Sequence, residues 1–499
     1  MEYVIRFAQQ HVTFRRPEIE ALATFYGVDI EFVFYDDYSP FCVVRFPDND
    51  AARAVVSRSV LAQDLYELWG QGSSYEELHA DVRRRTQHRW SEFRDVSFRF
   101  DVSTFAYKRS REEKVDIIQS FEYLDFRGPI RMTGYDELFG VLEEHEWDCE
   151  EVDREQYRLP PRGREAIKTI YFGRWLTSSS RNLIDRYDLK KRRYISTTSM
   201  DAELALVTAN MGLVGPGKLV YDPFVGTGSF LVAAAHFGAM TMGSDIDGRS
   251  FRGRNHDRTK QLGIYTNFVQ YGTTSRYVDA FTADLTNTPI REEPFLDAIL
   301  CDPPYGIREG LKVLGSRDDK PKVPIYIDGV PAYRLPGYVA PKRPYGFMAI
   351  LNDILEFASR TLVENGRLCM WMPTANDQDV ELMIPTHPSM EIMAVSVQQF
   401  GNWSRRLLTY RKLRKGEISA DSKVPRREDS EGGVTADDLN EFRRKYFAPR
   451  ESRHGNQPRN NTSSSSQTEA TTTTTPEPPT SDMASMKVTD DKEERHDTK

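Results

Sequence analysis

Two turns in this chain carry residue types able to do chemistry together. One is Tyr221-Asp222-Pro223-Phe224-Val225-Gly226-Thr227-Gly228-Ser229; the other, about eighty residues on, is Ile299-Leu300-Cys301-Asp302-Pro303-Pro304-Tyr305-Gly306. The second turn suits an amine on a planar heterocycle. Such a nitrogen is a poor nucleophile because its lone pair is delocalised into the ring. A carboxylate on Asp302 accepting one N–H, and the Pro303 carbonyl accepting the other, pull it toward sp³ geometry. Proline fits this turn because it fixes φ and brings no competing N–H. Tyr305 offers an aromatic face for base stacking. Transfer by in-line displacement then depends chiefly on positioning. Asp302 need not be a full general base, since the proton can leave to water afterwards.

The first turn reads as a cofactor cradle. Lys218-Leu219-Val220-Tyr221 is a short strand ending at Asp222, and Phe230–Ala235 reads as a helix after Gly226, Thr227 and Gly228. Glycines let a backbone pass close to a ligand, and a helix start presents free N–H groups. The G-x-G-x-x-G spacing of dinucleotide binders is absent. An acid at the strand end suits the methionine amino group of S-adenosylmethionine better than a pyrophosphate, which disfavours NAD. Further strands are expected to present Asp245, placed for ribose hydroxyls, and Asp284, placed for adenine. Leu296–Leu300 leads into Asp302 as a buried parallel strand. Any one of these acids alone is explained as a turn residue or helix cap; four at strand ends argue together for a ligand site. The two turns read jointly as an S-adenosylmethionine-dependent N-methyltransferase acting on a nucleobase.

These turns need a frame. With 499 residues the chain exceeds one ordinary core, so two or three domains are expected. The composition, 39% hydrophobic and 28% charged, is that of a soluble globular protein. No run of about eighteen apolar residues marks a membrane span, and the start, Met1–Phe7, lacks the layout of a signal peptide. Cys42, Cys149, Cys301 and Cys369 are scattered, without C-x-x-C or a His cluster; this points to a reducing, cytoplasmic setting and to no metal site. Net charge is −8, yet 161–200 holds ten Lys or Arg against three acids, and 401–415 holds six and none. Such stretches can bind phosphates on an acidic protein.

The expected order is a small α+β domain over 1–65, a second unit over 66–160, a basic linker over 161–190, a methyltransferase domain over 191–418 and a low-complexity disordered tail over 419–499. In the first, Glu2–Phe7, Ile30–Phe34 and Phe41–Phe46 read as strands; Pro17 is expected to open a helix stopped at Gly27, and Asp50–Gln63 to form another. The second is rich in aromatics and charge, with Arg83-Arg84-Arg85 and Ser97-Phe98-Arg99-Phe100-Asp101-Val102. Pro160-Pro161-Arg162-Gly163 reads as linker. A long Gly- and Pro-bearing stretch follows Gly306 before a helix near Phe347–Leu362, and a loop of that length implies function or disorder. Ser463–Ser466 and Thr471–Thr475 mark the tail.

In Arg193–Leu204, Gly217–Ser229, Ser244–Arg249, Asp302–Gly306 and Trp403-Ser404-Arg405-Arg406-Leu407 the chain resembles the eukaryotic tRNA guanine-10 N2-methyltransferase family. The likeness spans roughly 1–415 and is most specific over 190–310. It departs at Ser196-Thr197, where the family usually has Gly-Pro. The resemblance implies an α/β, Rossmann-like S-adenosylmethionine-dependent methyltransferase domain, preceded by an α+β RNA-binding region of ferredoxin-like and THUMP type. It implies tRNA as substrate and a small zinc-binding activator subunit as partner. Its cofactor set falls on Thr198, Asp222, Phe224, Gly226, Thr227, Gly228, Asp245 and Asp284, and its catalytic set on Asp302, Pro303, Pro304 and Tyr305. Lys190, Lys191, Arg192 and Arg193 adjoin the catalytic domain and are expected to meet RNA phosphates. Competing readings are an adenine-N6 methyltransferase, which needs a recognition domain not seen here, a glutamine-modifying protein methyltransferase, which usually has Asn at the place of Asp302, and a non-catalytic RNA-binding scaffold.

Overall fold

Apolar residues on both faces of β1 (Glu2–Phe7) place it inside a sheet rather than at its edge. The computed structural model describes residues 1–147, 165–253, 262–305, 311–315, 325–335, 338, 340–375, 384–400 and 403–418. Cys149, Pro160–Gly163, Gly306 and the tail over 419–499 lie outside the described residues. After β1 come α1 (Val12–Tyr26), β2 (Glu31–Phe34), β3 (Phe41–Arg45), α2 (Asn49–Arg58) and β4 (Ala62–Gly72). All pairs are antiparallel in the order β2-β3-β1-β4, the split βαβ arrangement of ferredoxin-like units. Tyr3, Ile5 and Phe7 face the helices with Ile19, Leu22 and Val55, while Val4 joins Phe41, Val43 and Tyr66 on the other face.

The sheet does not end at β4. α3 (Tyr75–Thr86), β5 (Phe98–Phe105), α4 (Arg111–Gln119), β6 (Glu137–His145) and β7 (Ile167–Ser178) follow. β7 pairs with the far edge of β4 and with β6, and β5 closes the row, giving seven strands in one sheet. Trp69, with Phe93, Phe139 and Phe172 at 5.1–6.1 Å between ring centres, fills the core of this half. Two expectations are corrected. The boundary between 65 and 66 falls inside β4, and the stretch expected as a basic linker, 161–190, holds a central strand and α5 (Leu183–Arg186). The basic residues that read as linker are matched within the sheet: Arg174 pairs with Glu67 and Glu137, and Lys168 with Glu144.

Helix α1 begins at Val12, five residues before Pro17, so the proline lies inside it. A proline at 17 has no N–H to give the Thr13 carbonyl. That carbonyl instead accepts from Ser396 Oγ at 3.1 Å, and the Thr13 hydroxyl bonds both backbone atoms of Val397. Likewise α2 ends at Arg58 and not near Gln63 because the buried Glu18 carboxylate takes Ser59 Oγ, Val60 N and Leu61 N at 2.6–3.1 Å.

Those partners of Thr13 belong to a second sheet. It is built from α6 (Ala202–Met211), β8 (Leu219–Asp222), α7 (Ser229–His236), β9 (Met240–Asp245), α8 (Arg249–Arg252), α9 (Ile264–Tyr271), β10 (Tyr277–Thr282) and β11 (Leu296–Cys301). The short pieces β12 (Lys312–Leu314), β13 (Tyr326–Ile327), β14 (Val330–Pro331) and β15 (Lys342–Pro344) follow, then α10 (Phe347–Thr361), β16 (Leu362–Ala375), β17 (Met390–Phe400) and β18 (Trp403–Lys412). The order is β10-β9-β8-β11-β16-β18-β17, parallel through β16, with β18 antiparallel to both neighbours. Strand order reverses between β8 and β11, which makes the carboxyl ends of those two strands the switch point where such sheets bind ligands. Within the described residues after Gly306, β12 pairs with β15, and Leu311, Val313 and Tyr345 join the core beneath β11.

The two sheets share a core. Phe14, Val60 and Leu61 from the first pack with Leu204, Val207 and Trp371 of the second. Asn210 on α6 donates to Glu18 at 2.8 Å and accepts from Arg58 Nε at 3.0 Å, and Phe14 stacks on Trp371 with centres 5.8 Å apart. Cys42, Cys301 and Cys369 are buried thiols. No helix among the described residues is long and apolar enough to cross a membrane.

Candidate active site

Asp222 closes β8 and is 1% exposed; its Oδ1 accepts from Phe224 N at 2.9 Å. Burial pushes its carboxyl well above the usual range, and the charges of Asp245 and Asp302 add to this. Asp245 closes β9. Its two oxygens accept from Gly226 N at 3.1 Å and Asp247 N at 2.8 Å, yet burial still raises its carboxyl. Between them runs the glycine turn. Gly226 (φ +47°) and Gly228 (φ +79°) are left-handed, and Gly228 N donates to Val225 O at 2.7 Å. A Cβ on Gly228 falls 2.2 Å from Ile264 Cδ1, so a side chain there requires Ile264 to move.

The turn is tied down from outside the sheet. Thr227 is buried, and its hydroxyl lies 2.6 Å from Ser199 Oγ. Asn267 on α9 donates to the Thr227 carbonyl at 3.3 Å and clasps the backbone of Tyr194 at 2.9 and 3.0 Å. Thr198 is exposed on this same loop, with its hydroxyl 3.0 Å from Ser196 Oγ. Asp284 lies just past β10; Oδ1 takes Thr286 N at 2.9 Å and Oδ2 takes Leu314 N at 2.7 Å. It thus fastens Leu314, in the segment after the Asp302–Tyr305 turn, to the end of β10.

Asp302 leaves β11 at the switch point, its side chain 22% exposed. Oδ1 accepts from the Tyr305 hydroxyl, and Arg405 Nη1 stands 4.0 Å from Oδ2. Burial pushes this carboxyl up to about 6, against the opposing pull of Tyr305 and Arg405. Pro303 is buried, Pro304 is exposed, and Tyr305 packs with Phe224 against one core. Tyr305, expected as a stacking face, also holds Asp302.

The structure gathers Asp222, Phe224, Gly226, Thr227, Gly228, Asp245, Asp284, Asp302 and Tyr305 along the carboxyl ends of neighbouring strands. Lys190, Lys191 and Arg193 are exposed on the approach to this sheet, and Lys191 pairs with Asp185. Arg192 is a correction: it is 5% exposed and donates from Nη1 to Ser229 Oγ at 2.9 Å, so it braces the start of α7 and does not face solvent. In the basic stretch over 401–415, Arg411 pairs with Glu391 and Glu417 and Lys412 donates to the Ser359 carbonyl, while Arg414 and Lys415 are exposed. Three residues had no assigned role in the sequence: Ser199, Asn267 and Arg405. None of the three left a local signal; Arg405 is one of several cations along β18.

Among the described residues, no Lys or Arg pairs with Asp222 or Asp245. Buried carboxylates held above their usual range, without a cation and beside a left-handed glycine turn, fit a cationic amino-acid group such as that of S-adenosylmethionine. With the sheet order, this defines a Rossmann-like methyltransferase domain. A family model described as the Tmrp11 THUMP N-terminal domain matches residues 1–181, and one described as an RMKL-like methyltransferase domain matches 190–314. The chain is 42% identical to the tRNA (guanine(10)-N(2))-methyltransferase of Saccharomyces cerevisiae, covering 82% of this chain and 92% of that protein. It is 34% identical to the human protein named tRNA (guanine(10)-N(2))-methyltransferase TRMT11, covering 89% and 95%. Among solved structures, TrmN from Thermus thermophilus aligns over 83% of this chain and 100% of that one, at 17% identity and a TM-score of 0.40. The chain belongs to the tRNA (guanine(10)-N(2))-methyltransferase family.

Proposed function

We propose that this protein transfers a methyl group from S-adenosylmethionine to the exocyclic N2 of guanosine 10 in tRNA. The observation that carries the reading is the Asp302 carboxylate at the switch point, partly open and flanked by Tyr305, with the acid-lined glycine turn beside it. S-adenosylmethionine supplies an activated methyl on sulfur. Asp222 takes its amino group, Asp245 its ribose hydroxyls, and the backbone of Gly226–Gly228 lies along it, with Thr198, Phe224, Thr227 and Asp284 completing the wall. Asp302 Oδ2 and the Pro303 carbonyl accept the two N–H groups of the target amine. Tyr305 keeps Oδ1 engaged, which fixes the carboxylate plane. Ionised Asp302 is needed for this, and solvent removes the spare proton.

The base must leave its stack to reach Asp302, at a cost of a few kcal/mol. Contacts of the N-terminal half and of Lys190, Lys191 and Arg193 with the RNA offset that cost and set the register. A small zinc-binding activator subunit, which rests on the family resemblance, and a cytoplasmic location, which rests on the scattered cysteines, belong to the same reading. The test is nucleoside mass spectrometry of tRNA from cells lacking the protein. Loss of N2-methylguanosine at position 10, restored by the intact chain and not by Asp302→Ala, is expected. Unchanged methylation at that position refutes the proposal.

A further inference from the structure

Arg405 comes from β18, on the far side of β16 from the catalytic turn, yet its guanidinium reaches Asp302. It is held on several sides. The rings of Trp371 and Phe400 each lie 5.3 Å from it, and Gln398 Oε1 accepts from Nε at 3.1 Å and from Nη2 at 2.5 Å. Trp371 is itself backed by Phe14 of the first sheet. The side chain is 17% exposed, and Nη1 points at Asp302 Oδ2 across 4.0 Å. That separation is too long for a hydrogen bond. A direct ion pair is the ordinary fate of such neighbours; here Asp302 is engaged by Tyr305, which Arg405 also reaches, and Arg405 is held by Gln398 and two rings.

An acceptor and a donor held side by side across a gap match one base edge better than another. In guanine the N2 amine and O6 flank N1, a donor and an acceptor at opposite ends of one ring edge. The ring nitrogens next to an amine, N1 in adenine or N3 in guanine, lie too near it to span the gap. Arginine is also the side chain that most often reads guanine O6; with Nε and Nη2 on Gln398, Nη1 is the donor on the Asp302 side. Resting on the proposed role of Asp302, we infer that Arg405 selects guanine: it donates to O6 of the base whose N2 amine Asp302 holds. Adenine turns an amino group toward the same donors and is rejected.

The test uses the purified full chain, with any subunit that copurifies, on tRNA bearing guanosine or 2-aminopurine at position 10. Both bases carry the 2-amine, and only guanine has O6. The unaltered protein is expected to favour guanosine in kcat/KM by about tenfold to a hundredfold, the worth of one hydrogen bond to a charged group. Arg405→Ala lowers the guanosine rate by a similar factor and the 2-aminopurine rate far less, so the ratio approaches one. Arg405→Lys, which keeps a cation but loses the guanidinium, lies between; calorimetry of S-adenosylmethionine binding verifies that each variant is folded. Equal losses on both bases, or an unaltered protein without preference, overturn the inference. Asp302→Asn separates this outcome from failure of the underlying reading: it slows both bases together if Asp302 holds the amine, and full activity on both overturns that role while the Arg405 ratio is still readable.

Discussion

Replacing Gly228 with alanine tests the glycine turn most directly. Its φ of +79° costs an L-residue roughly 1–2 kcal/mol. The new methyl also arrives 2.2 Å from Ile264 Cδ1 and 2.5 Å from Cγ1. Ile264 is 2% exposed and opens α9, whose Asn267 grips Tyr194 and Thr227, so it has little room to yield. Overpacking of this kind costs about 1–3 kcal/mol. The expected loss is thus about 2–5 kcal/mol, a large share of the roughly 5–15 kcal/mol that holds a typical domain folded. Urea unfolding measures it. Ile264→Val removes the nearer atom and alone costs about 0.5–1.5 kcal/mol. In the Gly228→Ala background it costs less or becomes stabilising, a coupling of about 0.5–3 kcal/mol. If Ile264→Val costs the same in both backgrounds, the steric account is wrong. If Gly228→Ala stays within about 0.5 kcal/mol of the parent, the backbone account fails too.

Other outcomes follow from the same geometry. Because the Asp302 carboxyl is pushed up to about 6 and must be ionised to accept N–H groups, single-turnover rates rise with pH through about 6 and level off above it; a flat profile from pH 5 to 7.5 contradicts this. Asp245→Ala weakens S-adenosylmethionine binding at least about tenfold by calorimetry, since ribose hydroxyls lose a charged acceptor. The raised Asp222 and Asp245 carboxyls must also lose protons to bind, so affinity in the parent strengthens as pH rises, with proton release measurable in buffers of different ionisation enthalpy. Asn210→Ala strips Glu18 and Arg58 of their shared amide and lowers stability to urea by about 1–3 kcal/mol; a smaller change means the network is dispensable. A chain ending at Ile418 folds and methylates tRNA at the full rate, and loss of folding on that truncation shows that the tail packs on the catalytic domain.

The catalytic sheet was legible because its chemistry sits at strand ends. A buried parallel strand is an apolar run, and an acid that closes one stands out; Asp222, Asp245, Asp284 and Asp302 each do so within two residues of the strand. The stop of α1 at Gly27 was legible, but its start and the end of α2 were not, because tertiary partners set them. Ser396 supplies what Pro17 withholds, and the Glu18 carboxylate captures the N–H groups that a longer α2 would have used. Composition misled at β7 and at Arg192. Lys168 and Arg174 read as solvated charge until the acids opposite them on neighbouring strands are known, and the neighbour of Arg192, Ser229, lies 37 residues away. Arg405 escaped a role for a similar reason: its partner is about a hundred residues upstream, and no local pattern announces a distance of that kind.

The bonds between Thr13 and Val397 have a consequence in time. They join residues 384 apart, and those between Glu18 and Asn210 join residues 192 apart. A ribosome adding about 5–20 residues per second leaves Thr13 and Phe14 waiting on the order of 20–80 s for β17, and Glu18 about half as long for α6. Through that interval the first sheet can be complete, yet its face toward the second sheet still presents Phe14, Val60, Leu61 and a carboxylate without its amide. Nascent chains arrested after residue 181 should therefore recruit a chaperone that chains arrested beyond residue 412 do not.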